Sequence, residues 1–434
     1  MDADILIRGC IILPMNGTGP IMDGAIAIKG RSIVYVGKAS GAEGIHAERL
    51  IDAKGMAAMP GLVNTHTHIP MTIFRGIAED RTLESWLKET IWPLEAKLTE
   101  DDVYYGALLG CLEMIKSGTT CFADMYFFED AVARAVAESG LRAVLSWGII
   151  EAGVAEVGKV TLQNSVEFSE RWNGFDEGRI HARLAPHSVY TCSPELLSEV
   201  RSQANRLGVG IHIHLSESRW EVEQTTRKYG VTPVEHLEKL GFLGPDVLAA
   251  HCVHLTDGDM RILARRGVKV AYNPTCNAKL GMGIARVWEM HRMGVDVGIA
   301  TDGPASNNTL DMLECTKIAS ILQKVRYGDP TVMPVEAALR MATLGGAKVL
   351  GLERQIGTLE PGKRADLILI DLRKPHLTPN HNTAANILYS ARGSDVDTVI
   401  VDGKILMEGR QVKTLSEEEV VEKARDTAHK IVQE

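Results

Sequence analysis

The sequence lacks the features that mark secreted, membrane-bound or thiolate-based metal proteins. Its 434 residues contain seven scattered cysteines and no Cys-x-x-Cys pair, which is typical of reduced, mostly buried thiols. No apolar run reaches the length of a membrane span. The first four residues (MDAD) are acidic and do not resemble a signal peptide. These absences predict a cytoplasmic protein with no membrane partner.

A basic surface is also missing. The formal net charge is -9, and the acidic and basic residues are interspersed without a Lys/Arg stripe. This pattern argues against a nucleic-acid partner. With 45% hydrophobic and 24% charged residues, the chain has the composition of a globular protein with a large core. Its length allows a barrel and a smaller second domain.

The two ends of the chain have the sequence pattern of β-strands. Residues 4–8, 25–37, 365–371 and 396–406 alternate apolar and polar side chains between glycine-containing turns. Neither end alone has enough strands to bury a sheet face, so we expect the two ends to pair. The predicted unit is a small β-sandwich domain formed by residues 1–57 and 357–434. It closes with a helix that begins at a Ser416/Glu419 capping box.

Between the ends, apolar strands alternate with amphipathic helices. A strand that ends at His68 is followed by predicted strands at 119–124, 143–148, 182–187, 209–215, 247–252, 268–273 and 295–302. Runs that are apolar on both faces are typical of a parallel sheet. Eight such units predict an α/β fold, a (β/α)8 TIM barrel over residues 58–356.

Polar side chains gather at the carboxyl ends of these strands, where barrel enzymes carry their chemistry. Five of the fourteen histidines and one aspartate occupy such positions: His66, His68, His187, His214, His251 and Asp302. Residues 66 and 68 share one face because side chains alternate along a strand. Three imidazoles and a carboxylate suit a divalent metal ion with one position left for water. The predicted ligands are His66, His68, His214 and Asp302.

Two neighbours of His214 receive other roles. Glu217 follows at the transition from strand to loop, where it can reach over the metal as a proton shuttle. Standing alone, it would be read as a solvated loop glutamate. His212 lies a pleat deeper and is interpreted as barrel interior or a residue behind the ligands. The fourth strand ends in His187 rather than in a lysine that could bridge two ions, which predicts one metal.

The motifs at these strand ends resemble the mononuclear deaminase branch of the amidohydrolase superfamily. They are PGLVNTHTH (60–68), HLSE (214–217), AHCVH (250–254) and TDG (301–303). More narrowly, the segments WL (86–87), IWPLE (91–95), APHS (185–188), NP (273–274) and DGPASNN (302–308) are similar to the 5'-methylthioadenosine/S-adenosylhomocysteine deaminase family. Triazine chlorohydrolases and guanine deaminases share much of this pattern.

The resemblance implies a hydrolytic deaminase of adenine nucleosides with one divalent ion, for which we expect zinc, with Fe²⁺ or Mn²⁺ as alternatives. The ion lowers the pKa of its water, Asp302 takes the water's proton, and C6 of adenine is attacked. Glu217 then protonates ring N1, and His251 orients the hydroxide or the tetrahedral centre. The resemblance also implies a homo-oligomer, a dimer or tetramer.

Four further residues are expected to contact the substrate. By resemblance, Glu95 binds the ribose hydroxyls and His187 contacts the purine. Trp86 is a candidate wall for the base or the 5'-group. Family members that bind S-adenosylhomocysteine well use arginines after the third strand, whereas residues 151–163 offer only Lys159. Lysine lacks the bidentate fork, so we expect compact 5'-groups to be preferred.

Two other functions stay open at this point. One is a hydrolase of the same barrel that acts on another ring, such as a chlorotriazine, guanine or a cyclic amide. Glu95 argues against it, since only a nucleoside needs a ribose-binding carboxylate. The other is a non-enzymatic scaffold, although such relatives usually lose metal ligands. The His-x-Glu and Pro-Cys-x-x-Cys signature of the cytidine and tRNA deaminases is absent, which excludes that fold.

Overall fold

A computed structural model describes residues 2–433, whose strands fall into two sheets. The strands are β1 (Asp2–Ile12), β2 (Ile21–Lys29), β3 (Ser32–Lys38), β4 (His46–Asp52), β5 (Met56–Pro60), β6 (Leu62–Thr67), β7 (Thr119–Asp124), β8 (Arg142–Leu145), β9 (Gly148–Ile149), β10 (Ile180–Pro186), β11 (Gly210–Leu215), β12 (Val247–His251), β13 (Lys269–Tyr272), β14 (Val297–Ile299), β15 (Leu367–Asp371), β16 (Val396–Val401), β17 (Lys404–Glu408) and β18 (Gln411–Val412).

The helices lie mostly between the barrel strands. The α-helices are α1 (Leu83–Ser85), α2 (Trp92–Glu95), α3 (Glu100–Ser117), α4 (Glu129–Ser139), α5 (Ala155–Trp172), α6 (Phe175–Gly178), α7 (Pro194–Leu207), α8 (Arg219–Tyr229), α9 (Pro233–Lys239), α10 (Asp257–Arg266), α11 (Pro274–Lys279), α12 (Val287–Arg292), α13 (Met312–Tyr327), α14 (Val335–Arg340), α15 (Gly346–Leu350), α16 (Thr383–Tyr389) and α17 (Glu417–Gln433). Two π-helices (Trp86–Ile91 and Met341–Gly345) and four short 3-10 helices (Ala39–Ala42, Ile69–Phe74, Pro375–Leu377 and Gly393–Asp395) complete them. No helix within residues 2–433 combines the length and the apolar composition needed to cross a membrane.

The larger unit is a parallel barrel. Its strands pair in the order β6, β7, β8, β10, β11, β12, β13, β14, and the short β9 continues the third strand against β10. The last strand returns to the first, where the Thr65 hydroxyl donates to Ile299 O at 3.1 Å and Asp302 N donates to His66 O at 3.1 Å. The predicted (β/α)8 barrel is confirmed, and all its strands end at one rim.

The chain ends form the second sheet, a nine-stranded mixed one. Its order is β18, β17, β16, β15, β5, β1, β2, β3, with β4 paired to β1. The antiparallel pair of β5 and β15 joins the amino-terminal strands to the carboxyl-terminal ones. Ile7, Ile26, Leu367 and Ile400 from both ends share one buried core. The predicted association of the two ends is therefore confirmed.

The apolar run before the histidines is two strands rather than one. It breaks at Gly61, so that β5 pairs with β15 in the small sheet while β6 pairs with β7 in the barrel. Gly61 lies so close to the Thr120 side chain that a Cβ would collide with it. The domain boundaries after residues 57 and 356 stay a prediction, and the strand pairing favours a first junction at Gly61.

A buried ion cluster connects the two units. Arg142 begins β8 and is fully buried. Its guanidinium donates to Asp366 at 2.7 Å and to Asp402 at 2.6 Å, which lie just before β15 and just after β16 of the small sheet. Charged side chains buried this deeply need an oppositely charged partner, because an unpaired charge in the interior is strongly destabilising.

Truncating this arginine should therefore destabilise the protein strongly. We expect Arg142→Ala to lower the free energy of unfolding by about 3–5 kcal/mol, because the buried Asp366 loses its arginine and Asp402 keeps only its pairs with Arg31 and Arg364. Denaturant unfolding measures the change. Arg206→Ala is the control, because its ion pair with Glu170 at 3.3 Å is half exposed and should contribute less than about 1 kcal/mol. Equal effects of the two variants would contradict the prediction.

Candidate metal centre and active site

Three strands and the residues that follow them bring the four predicted ligands together. His66 lies in β6 and His68 follows it, His214 lies in β11, and Asp302 follows β14. His66, His214 and Asp302 are buried, and His68 is nearly so. The carboxyl ends of parallel barrel strands lie at one rim, so His66 and Asp302 become neighbours although they are 236 positions apart in the sequence.

The spacing of the ligand atoms fits one metal ion. Asp302 Oδ1 lies 3.3 Å from His66 Nε2 and 3.4 Å from His68 Nε2. His68 Nε2 and His214 Nε2 are 3.3 Å apart. Ligand atoms placed tetrahedrally at the Zn–N distance of about 2.0–2.1 Å would be about 3.3–3.4 Å apart. The four side chains therefore surround a point at which a divalent ion fits.

The opposite ring nitrogens fix the orientation of the ligands. His68 Nδ1 donates to Met125 O at 2.5 Å, and His214 Nδ1 donates to His187 O at 2.8 Å. Since carbonyls only accept, both Nε2 atoms carry a free lone pair. His66 Nδ1 is 2.8 Å from His212 Nε2, so His212 lies behind the ligands as the sequence predicts.

The protonation states also suit a cation. Burial lowers the pKa of His66 to about 3 and also lowers the pKa values of His68 and His214, which keeps the rings neutral. Burial opposes the charge on Asp302, but His66, His251 and His68 outweigh it and hold the pKa of this carboxyl well below its usual range. The buried Nε2 of His66 has no hydrogen-bond partner among residues 2–433. Three neutral imidazoles and a carboxylate form a divalent-metal site.

Two titratable side chains stand beside this centre. Glu217 is buried, and that burial raises the pKa of its carboxyl. A ring nitrogen of His251 lies within 4.8 Å of the ligand atoms of His66 and Asp302. His251 Nδ1 donates to Asn277 Oδ1 at 2.9 Å and lies 3.7 Å from Glu217 Oε1. This arrangement can hold and move protons next to the metal.

Backbone strain is concentrated at the same strand ends. Ser216, His251, Cys252 and Asp302 adopt φ values of +51°, +72°, +51° and +63°. Non-glycine residues pay about 1–3 kcal/mol each for such conformations, so the surrounding hydrogen bonds must hold them. The strain turns the chain sharply where each strand meets its loop.

A largely apolar cavity of about 770 Å³, including its opening, leads to the metal centre. The π-helix Trp86–Ile91 and α2 line one side of it. The predicted Glu95, His187, Glu217 and Trp86 all line it. Its apolar wall includes Met71, Leu83, Leu87, Ile91, Trp92, Met125, Phe127, Ile150 and Leu280. No lysine or arginine of the described chain lines this cavity.

Two polar groups in the wall of the cavity are candidates to contact a ligand, the carboxyl of Glu95 and the indole N–H of Trp86. Burial raises the pKa of Glu95 to about 7, and the hydroxyl of Tyr126 opposes this shift. The indole N–H of Trp86 is buried without a hydrogen-bond partner in residues 2–433. A buried indole N–H normally has a partner, so this donor is available to a ligand.

The structure does not bring Lys159 to the cavity, which corrects its assignment as a substrate-binding residue. The segment 151–163 is not a long loop, because α5 begins at Ala155. The helix carries Lys159 on its exposed face, in a separate surface groove with Gln163 and Arg206. Counting charges in the segment could not show which face of the helix would carry them.

Two residues at the site were missed by the sequence reasoning. Asn277 orients His251, and Tyr126 lies beside Glu95. Asn277 is three residues past the Asn273-Pro274 motif, and Tyr126 follows the end of β7. Their positions next to strand ends were the only available signal.

The fold and the centre together define a metal-binding barrel enzyme with its chemistry at the carboxyl ends of the strands. The chain belongs to the amidohydrolase family, whose family model matches residues 57–406. This confirms the resemblance found in the motifs.

Full-length relatives carry more specific names. A protein of Desulforudis audaxviator called 5-methylthioadenosine/S-adenosylhomocysteine deaminase is 52% identical over 430 residues, covering 99% of both chains. A 5'-deoxyadenosine deaminase of Methanosarcina acetivorans is 48% identical over 431 residues, again covering 99% of both. Among solved structures, a zinc-bound adenosine deaminase from Xanthomonas campestris has a TM-score of 0.96 at 33% identity, covering 100% of this chain and 99% of that one.

Proposed function

We propose that this protein is a metal-dependent hydrolytic deaminase of adenine nucleosides. It converts the 6-amino group of 5'-deoxyadenosine, 5'-methylthioadenosine, S-adenosylhomocysteine or adenosine to the inosine-type product and ammonia. One observation carries the proposal: a metal centre flanked by the buried Glu217 and His251 opens into the same cavity as the carboxylate of Glu95. The names of the full-length relatives support it.

The reaction divides between the metal and the side chains. His66, His68, His214 and Asp302 would hold the divalent ion, which when bound would supply Lewis acidity and a water of lowered pKa. Asp302 accepts a proton from the attacking water. Its second oxygen, Oδ2, accepts a hydrogen bond from the Ser306 hydroxyl at 2.7 Å, which fixes the carboxylate.

Protons are carried by the residues beside the centre. Burial raises the pKa of Glu217, which favours its protonated form, and Glu217 donates a proton to ring N1, which makes C6 more electrophilic. Water adds to C6, the C6–N6 bond breaks, and the amino group leaves as ammonia after it is protonated. His251, oriented by Asn277, hydrogen-bonds to the oxygen that adds to C6.

We also propose zinc as the native metal, because neutral imidazoles and one carboxylate suit it and the Xanthomonas structure contains it. The partner is a small-molecule nucleoside rather than nucleic acid, in keeping with a cavity that has no cation in its described walls. The expected homo-oligomer and cytoplasmic location stay predictions.

Recognition of the ribose should depend on Glu95. We expect 2'-deoxyadenosine to have a kcat/KM about tenfold to a hundredfold below that of adenosine, because leaving a buried hydrogen-bonding group without its partner costs about 1–3 kcal/mol. Glu95→Ala should largely erase this difference. Glu89→Ala is the matched control, since Glu89 lies on the same segment but is exposed and paired with Arg81 at 3.0 Å. Undiminished discrimination in Glu95→Ala would contradict the role.

The 5'-group should be compact. We expect 5'-deoxyadenosine or 5'-methylthioadenosine to exceed S-adenosylhomocysteine in kcat/KM by about tenfold or more, because the zwitterionic tail would be desolvated against apolar walls. An ammonia-release screen over these three, adenosine and guanine measures this preference. A preference for S-adenosylhomocysteine would show that a cation reaches the tail from elsewhere. Turnover of guanine alone would favour the alternative hydrolase.

A further inference from the structure

The helix that follows the proton shuttle begins in an unusual way. In three other helices, α3, α9 and α10, the carboxylate at the third helical position accepts the N–H of its own capping threonine. In α8, Ser218 is the capping residue and its hydroxyl accepts Glu221 N–H at 3.1 Å. The Glu221 carboxylate, however, does not accept the N–H of Ser218, as an ordinary capping box would require. It accepts hydrogen bonds from two residues that precede Ser218 in the chain.

These bonds hold the turn between β11 and α8. Glu221 Oε1 accepts Ser216 N–H at 2.9 Å, and Oε2 accepts Glu217 N–H at 2.8 Å. Glu221 is 1% exposed, so water does not compete for either bond. Both oxygens of the carboxylate are therefore committed to the backbone of the turn.

The same turn is held from its other side. Ser216 O accepts hydrogen bonds from Val253 N at 3.1 Å and from His254 N at 2.9 Å, just after His251. Ser216 itself has the strained φ of +51°. The backbone leading to Glu217 is thus fixed by Glu221 on one side and by the chain after β12 on the other.

We infer that Glu221 is a positioning residue, whose carboxylate fixes the turn between the metal ligand His214 and Glu217 and so sets where the Glu217 carboxyl meets the substrate. This inference rests on the proposed deaminase function. Glu221 itself does not line the cavity and touches no reacting atom. Its contribution to catalysis passes through Glu217.

The first test is Glu221→Gln. The amide oxygen can accept one N–H, but the amide nitrogen then meets the other N–H as a second donor. We expect kcat to fall by up to about a hundredfold, since small misplacements of a reacting group have effects of that size. KM and metal content should change little. If this variant does not fold, Glu221→Asp takes its place. Aspartate keeps both acceptor oxygens on a shorter side chain, so we expect a smaller fall in kcat.

The matched control is Glu235→Gln. Glu235 is also a glutamate at the third position of a helix, and it accepts Thr232 N–H at 3.0 Å in an ordinary capping box away from the cavity. This variant should lose stability without losing kcat. An equal fall in kcat in both variants would assign Glu221 a purely structural role.

A double-mutant cycle separates positioning from general damage. In the Glu217→Gln background, adding Glu221→Gln should lower kcat further by no more than about twofold, because the group it positions is already disabled. A full additional loss would overturn the inference.

A crystal structure of the Glu221 variant tests the same point without turnover. The Glu217 side chain should be displaced or disordered while the four metal ligands stay in place. An unmoved turn and Glu217 would overturn the inference. Failure of the proposed function would look different, since the unmodified protein would then release no ammonia from any adenine nucleoside.

Discussion

Removal of the metal should abolish ammonia release from every adenine nucleoside, and one equivalent of a divalent ion per chain should restore it. The reason is that bulk water is a weak nucleophile at neutral pH, and the side chains at the centre need the metal to lower the pKa of the attacking water. Elemental analysis of the purified protein should give about one ion per chain, because the two groups of potential ligands in residues 2–433, His66/His68/His214 and His66/His251/Asp302, share His66 and so mark one centre. Activity before and after chelation completes the measurement.

Histidine substitutions provide the control. His214→Ala should lose the ion, whereas His181→Ala should keep it, since His181 lies near the start of β10, at the opposite end of the barrel. Two tightly bound ions per chain, or full activity after complete chelation, would contradict the assignment of a single catalytic centre.

Glu217→Gln should keep the metal and lose about 10²- to 10⁴-fold in kcat. An amide cannot deliver the proton that ring N1 requires, and general acid–base groups contribute on this scale. The amide has nearly the same volume as the acid, so the cavity should be preserved. Steady-state kinetics and metal analysis on the same preparation measure both quantities.

Glu223→Gln is the matched control, because Glu223 is exposed on α8 and should leave kcat unchanged. His251→Ala should resemble Glu217→Gln, retaining metal with reduced turnover. Loss of metal from Glu217→Gln would show that this glutamate is a ligand and that the four-residue assignment is wrong.

Much of the architecture could be predicted from local patterns. A strand buried on both faces is apolar along its whole length, so polar residues at its end stand out, as His66 and His214 do. Alternation along a strand places His66 and His68 on one face. In the structure these side chains and Asp302 surround a common point, as the topology of a parallel barrel requires.

The remaining features depended on contacts that a local pattern does not contain. The break at Gly61 separates β5 from β6 because each has a different neighbouring strand, β15 or β7. Lys159 belongs to the segment expected to bind the 5'-group, but the phase of α5 turns it to the surface. Asn277 and Tyr126 acquire their roles only from the residues they meet across the barrel.

The sequence by itself determined the class of fold, the pairing of the chain ends and the candidate ligands. These follow from burial and from the periodicity of strands, which are properties of short segments. The tertiary structure alone decided which side chains line the cavity, that no cation of the described residues reaches it, and how Glu221 holds the turn before Glu217. Such features depend on the rotation of each helix and on partners far away in the chain, which strand and helix periodicity do not specify.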